Sequence, residues 1–98
     1  MNESEAAAAE LQRFLIAEFA RRMEVDPQLI DPSQPLERYG LDSLNALRLA
    51  VELEERLGCK LPTTLLWDYS SIERLAHFLA YDLNIREIRG GMARKSEP

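Results

Sequence analysis

Apolar residues in the first quarter of the chain recur at helical spacing. They stand every four residues, which predicts an amphipathic helix over residues 4–23, with Asn2 and Glu5 as a capping box at its start. The recurring positions are Leu11, Leu15, Phe19 and Met23. A proline-rich connection follows, and its apolar residues predict that this long loop packs against the core. The expected anchors are Val25, Leu29, Ile30 and Leu36.

Turn and cap residues place a second helix near the middle of the chain. Asp42 is suited to cap it, because an Asp side chain accepts hydrogen bonds from the free amides of a first helical turn. Gly58 is suited to end it in the left-handed conformation. The pattern therefore predicts a helix from Ser43 to Leu57.

The remaining apolar pattern predicts two shorter helices. A helical turn is expected over residues 63–67, and Ser70 with Glu73 predicts a capping box for the last helix. The apolar stripe of that helix is Ile72, Leu75, Ala76 and Leu79. The pattern fades near Ile85, which predicts one domain over residues 4–85 and a flexible tail or linker over 86–98.

The second helix carries two apolar stripes, although packing one face of a helix needs only one. Counted at about 100° per residue, the larger stripe forms an ordinary core-facing arc. It comprises Ala46, Leu49, Ala50, Leu53 and Leu57. Leu44, Leu47 and Val51 form the other stripe, on a face shared with Arg48 and Glu55. From the pattern alone, this second stripe packs either on another part of the fold or on a partner protein.

Composition and charge narrow the function classes. The 12 Lys+Arg and 17 Asp+Glu give a net charge of −5, and residues 1–85 alone, with 8 basic and 15 acidic residues, carry −7. Such a surface repels phosphates, which disfavours nucleic acid as a partner. No apolar run approaches the roughly 20 residues that span a bilayer, so we expect no membrane partner and a cytoplasmic location. One Cys and one His cannot form a zinc site of nitrogen and sulfur ligands, so no metal is expected.

A serine at the start of the second helix is the main candidate for chemistry. Unpaired amides and the positive end of the helix dipole favour a phosphate on the oxygen of Ser43. The alternative is a plain N-cap at Asp42 or Ser43. A serine hydrolase is disfavoured, because Gly40–Leu44 lacks the second glycine of a nucleophile elbow and follows no strand. Trp67 and Tyr69 are interpreted as core anchors rather than as the lining of a groove.

Gly40-Leu41-Asp42-Ser43-Leu44, followed by Ala46-Leu47-Arg48-Leu49, resembles the attachment motif of acyl carrier proteins. The later segments 61–69 and 70–76 resemble carrier domains of modular polyketide synthases, and the likeness extends over about residues 10–83. The resemblance implies an all-α fold: an antiparallel four-helix bundle with a long first loop and a short third helix. The sequence differs from discrete fatty-acid carriers in one respect. Their second helix is strongly acidic, whereas the second helix predicted here has a net charge of only −1.

The resemblance also implies a function without catalysis. A phosphopantetheinyl transferase would use coenzyme A to attach 4′-phosphopantetheine to Ser43, beside Asp42. The thiol of that arm, rather than Cys59, would hold acyl or polyketide intermediates as thioesters for acyl-loading, ketosynthase and other chain-processing enzymes. Leu44, Leu47, Arg48, Val51 and Glu55 would form the partner-binding face, and shuttling between enzymes fits a monomer.

Two alternatives stay open at this point. A peptidyl carrier for aminoacyl thioesters has the same arm and fold, but usually carries Gly and His or Gln where this chain has Leu41 and Asp42. An unmodified helical adaptor would keep the fold and use the second stripe only to dock partners.

Overall fold

The computed structural model describes residues 2–88, and their regular secondary structure is helical. Four α-helices follow in chain order: α1 (Glu3–Met23), α2 (Ser43–Leu57), α3 (Leu65–Asp68) and α4 (Ile72–His77). Two 3₁₀ turns, Pro27–Leu29 and Leu36–Tyr39, lie between α1 and α2, and one π-helical turn, Phe78–Asp82, continues α4. The bounds of α1 and α2 agree closely with the prediction.

Helix α1 is the scaffold of the bundle. It begins with the predicted capping box, in which the Asn2 side chain accepts from the Glu5 amide at 2.8 Å, and it ends at Glu24 with φ of 60°. One face of α1 packs along α4 and the π turn, and its C-terminal half contacts α2. The largest fully buried side chains come from every α-helix and from the first loop, which makes a single core. They are Phe19, Leu36, Leu53, Leu65, Leu66, Ile72, Leu75 and Leu79.

The long first loop is tied down by backbone hydrogen bonds to the start of α4. The Leu36 amide donates to the Ser70 carbonyl at 2.8 Å, and the Glu73 amide donates to the Pro32 carbonyl at 2.9 Å. Ile30 and Leu36 are buried as predicted. Leu29 is not an anchor: it is 72% exposed, because the first 3₁₀ turn points it away from the core.

The last two helices begin at different residues from those predicted. Helix α3 begins at Leu65 rather than at residue 63. The cap of α4 is Ser71, whose Oγ accepts from the Arg74 amide at 3.1 Å, and not Ser70 with Glu73. Tertiary contacts explain the shift of the cap. The Ser70 carbonyl accepts a hydrogen bond from the first loop, and Ser71 forms a β-bridge to Pro35.

The C-terminal end of the described chain folds back onto the start of α1. Arg86 donates to the Ala80 carbonyl and to the Ser4 hydroxyl, each at 3.0 Å. The predicted boundary at residue 85 stays a prediction, and residues 89–98 of the predicted tail lie outside the described residues.

Candidate functional site

The turn before α2 holds Ser43 at the surface. Gly40 adopts a φ of 92°, a left-handed conformation that costs a glycine little, and buried Leu41 fixes the turn to the core. Asp42 is the N-cap, and its carboxylate accepts from the Asn45 amide at 2.8 Å. Ser43 is the first residue of the helix and is exposed. Its hydroxyl is therefore open to a reagent or an enzyme.

The two stripes of α2 separate as the pattern allowed. The larger stripe is buried throughout, from Ala46 to Leu57. The smaller stripe is left uncovered: Leu44 is 56% exposed, Leu47 42% and Val51 49%. The interpretation of these three residues as part of the core is therefore wrong. We call them, together with Arg48 and Glu55, the docking face.

A shallow groove of about 650 Å³ runs along the docking face. Arg22 at the end of α1 and Glu52 of α2 complete its rim, beside the five residues of the face. Sequence reasoning missed both residues. They lie 30 positions apart in the chain, so nothing in the local pattern indicated that they meet.

A chain of ion pairs joins α1 to α2 next to this groove. Glu18 pairs with Arg21 at 2.6 Å and with Arg56 at 2.9 Å. Glu52 pairs with Arg22 at 2.8 Å and also with Arg21. Part of the negative charge of α2 is therefore neutralised within the fold.

The same pairing leaves Arg48 without its usual helical neighbour. Glu52 stands four residues after Arg48, a spacing at which opposite charges on a helix commonly pair. Glu52 instead binds the two arginines of α1. Within residues 2–88, neither Arg48 nor Glu55 forms an ion pair, and both are exposed. The docking face thus presents one free cation and one free anion beside an apolar stripe.

Other reactive or aromatic side chains lie away from the groove. Partial burial, with a smaller contribution from Glu54, raises the pKa of the Cys59 thiol, so this sulfur stays protonated and weakly nucleophilic near neutral pH. His77 is exposed and stacks on Tyr81 at 4.4 Å. Neither side chain lines the groove.

The two predicted core anchors divide between the core and the surface. Tyr69 is half-buried and stacks on Phe78 at 4.1 Å, in agreement with the packing interpretation. Trp67 is 39% exposed, so it is not a buried anchor.

Residues 2–88 thus form a bundle of helices with an exposed serine at the start of α2. In a comparison with known protein families, residues 13–79 match the phosphopantetheine attachment site family. The chain belongs to this family. Its members are non-catalytic carriers that bear 4′-phosphopantetheine covalently. The exposed hydroxyl of Ser43, beside the free amides of a helix start, fits such an attachment.

Relatives and solved structures agree with the family. The chain is 35% identical over 81 residues to the polyketide synthase GfsA of Streptomyces halstedii. The aligned region covers 83% of the chain but only 1% of that protein. It is 35% identical over 83 residues to the p-hydroxybenzoic acid–AMP ligase FadD22 of Mycobacterium tuberculosis, over 80% of the chain and 12% of the ligase. The chain thus spans a small part of these relatives.

Two carrier structures match the fold over most of their length. A free-standing peptidyl carrier protein of Acinetobacter baumannii superposes with a TM-score of 0.75 at 38% identity, over 84% of this chain and 99% of that one. Asl1650, an acyl carrier protein of Anabaena, has a TM-score of 0.68 at 38% identity, over 76% of this chain and 84% of that one. The all-α carrier fold, with its four helices and long first loop, is confirmed.

None of the helices within residues 2–88 is long and apolar enough to cross a membrane. The same residues contain no group of three or more His, Cys, Asp or Glu side chains arranged to hold a metal ion.

Proposed function

We propose that the protein is an acyl carrier whose arm is attached to Ser43. The observation that carries the proposal is the place of this serine: it is exposed, it begins α2, and it lies within the matched family region. A phosphopantetheinyl transferase breaks the pyrophosphate bond of coenzyme A and joins the arm to the Ser43 oxygen as a phosphodiester. Adenosine 3′,5′-bisphosphate leaves, and the hydroxyl proton is released. The thiol at the end of the arm then holds the acyl group as a thioester.

Asp42 and the turn before it position the serine for this transfer. Asp42 satisfies the Asn45 amide, while buried Leu41 prevents the turn from swinging into solvent. The amides of the first helical turn then offer hydrogen bonds and positive potential to the phosphate.

The docking face is proposed to receive the transferase and the acyl-loading, ketosynthase and other chain-processing enzymes. It adjoins Ser43, its apolar residues are uncovered, and its charged residues have no partners within residues 2–88. A small face of this kind suits brief encounters, because a tightly held carrier could not reach the next enzyme. The arm keeps the substrate at a high effective concentration during each encounter. Such shuttling fits a protein that is mainly monomeric, in the cytoplasm where coenzyme A is available.

Two observations bear on the cargo. The polyketide synthase relatives and the Leu41-Asp42 pair before the serine favour acyl or polyketide intermediates. The peptidyl carrier among the similar structures supports aminoacyl thioesters as a second candidate. Incubating the arm-bearing protein separately with acyltransferases and with adenylation enzymes from neighbouring reading frames distinguishes them, because the mass of the loaded arm identifies the cargo.

Intact-mass measurement tests the attachment itself. After incubation with coenzyme A, magnesium and a broad-specificity transferase, the protein should gain the mass of one arm. Ser43→Ala should gain none, whereas Cys59→Ser should gain one arm as the unchanged protein does. An unmodified wild-type protein would favour the helical adaptor and overturn the proposal.

Charge insertion tests the docking face. Leu47→Asp or Val51→Asp should leave the helical circular dichroism nearly unchanged, because both side chains are about half exposed. Either variant should slow arm transfer by about tenfold or more, since a charge replaces an apolar contact. Ala17→Asp, on an exposed position of α1, is the matched control and should transfer at the wild-type rate. If all three variants accept the arm at the same rate, the face does not dock the transferase.

A further inference from the structure

The docking face is complementary to itself. Arg48 and Glu55 are seven residues apart on α2, which separates them by about 10.5 Å along the helix. Counted by helical angle, both lie on the same flank of the stripe formed by Leu44, Leu47 and Val51. A helix with this arrangement can pair with an antiparallel copy of itself.

A twofold axis perpendicular to α2 explains why the charges match. Such an axis reverses the direction of the helix but keeps each flank of the stripe on the same side of the contact. Arg48 of one copy therefore faces Glu55 of the second copy, and Glu55 of the first copy faces Arg48 of the second. The midpoint between positions 48 and 55 lies beside Val51. The two valines therefore meet close to the axis, with an ion pair on either side of them.

A second concavity lies where this arrangement needs space. It has a volume of about 420 Å³, and it extends the face past Glu55 to Gly58 and Lys60 at the C-terminal end of α2. In the antiparallel arrangement, Leu44 of the second copy reaches the level of Cys59. Gly58 beside it has no side chain to obstruct the leucine.

The remaining charges near the groove do not oppose this pairing. Glu52 would otherwise add negative charge beside Glu55, but it is neutralised by Arg21 and Arg22 of its own chain. The free charges on the face are then Arg48 and Glu55, which a second copy matches.

We propose that two copies of this chain pair reversibly through their docking faces, with α2 antiparallel to α2. The docking face has five residues, against the roughly 20–30 on each side of a stable interface, so the pair is weak and exchanges with the monomer. Pairing covers Leu44, Leu47 and Val51, and it therefore competes with the docking of other proteins. The inference does not depend on the modification of Ser43.

A charge-reversal series tests the pair. The concentration dependence of amide NMR shifts, up to millimolar protein, measures association of the wild type, Arg48→Glu, Glu55→Arg and the double variant. Either single reversal should weaken association by about tenfold, because two like-charge contacts replace two attractive ones. The double variant should regain wild-type association. An equimolar mixture of the two single variants should associate at least as strongly as the wild type. Arg13→Glu, exposed on α1, controls for the change in net charge.

The outcomes separate clearly. Shifts confined to the docking face and the Gly58–Lys60 segment, together with rescue in the double variant, support the pair. Three results would overturn it: wild-type shifts that do not change with concentration, a double variant as weak as the single ones, or an Arg13→Glu variant that weakens association as much as Arg48→Glu.

Discussion

At the scale of single residues, either Asp42 or Ser43 could cap α2, but only Ser43 has a hydroxyl that can carry an arm. Asp42 occupies the N-cap and accepts from the Asn45 amide. Ser43 is therefore not needed as a cap, and its hydroxyl is left exposed. A plain N-cap at Asp42 and a modified serine beside it are thus compatible, because different side chains carry them.

The cap predicts a measurable loss of stability. Asp42→Ala should lower the free energy of unfolding by about 1 kcal/mol, because the Asn45 amide loses its acceptor. Asp42→Ser should restore most of that loss, since serine is also a good N-cap. Urea unfolding followed by circular dichroism measures both, and an alanine variant as stable as the wild type would contradict the assigned cap.

At the scale of elements, α1 and α2 are held in place by ion pairs as well as by the core. Glu18 and Glu52 each bind two arginines, and together they link positions that lie 30 to 38 residues apart. Arg56 also lies 4.9 Å from the centre of the Phe14 ring. These contacts set the position of α1 beside the docking face and place Arg22 at the rim of the groove.

Acid should weaken this link between the helices. Partial burial pushes the pKa of Glu52 upward, but hydrogen bonds from Arg22 and Arg21 outweigh it and hold the pKa below its ordinary value of 4.5. Because the pKa is lower in the folded state than in the unfolded state, the stabilisation is complete well above pH 4.5 and is lost as the pH falls through the folded value.

Urea unfolding near neutral pH and at acid pH measures the effect. The free energy of unfolding should fall more with acid in the wild type than in Glu52→Gln, which has no proton to take up at this position. Glu10→Gln, on an exposed position of α1, should behave like the wild type. If Glu52→Gln has the same pH dependence as the wild type, Glu52 does not contribute in this way.

At the scale of the whole molecule, the two ends of the described chain are tied together. Arg86 bonds to the Ala80 carbonyl, to the Asn84 side chain and to the Ser4 hydroxyl at the start of α1. Ile85 and Ile88 pack against the core as partly buried residues. These contacts close the bundle at the end of α1 where the chain begins.

Two shortened chains test where the domain ends. A chain ending at Ile88 should be more stable than one ending at Ile85 by about 1–3 kcal/mol, because only the longer one keeps the charged hydrogen bonds of Arg86. Arg86→Ala in the full chain should lose a similar amount. Thermal unfolding of the three proteins measures this, and equal stability of the two shortened chains would instead support the predicted boundary at residue 85.

The sequence by itself determined the extent of α1 and α2, the serine motif and the two stripes of α2. These features depend on local spacing and caps: Asn2, Asp42 and Gly58 act within a few residues of their own positions. The family resemblance followed from the same local strings.

Tertiary structure alone decided the rest. Ser71 rather than Ser70 caps α4 because the first loop pairs with the Ser70 carbonyl. Arg22 and Glu52 meet only after α1 and α2 pack together, and that meeting leaves Arg48 free on the docking face. Contacts between residues distant in the chain depend on how whole helices pack, and a local pattern of apolar and polar residues carries no information about them.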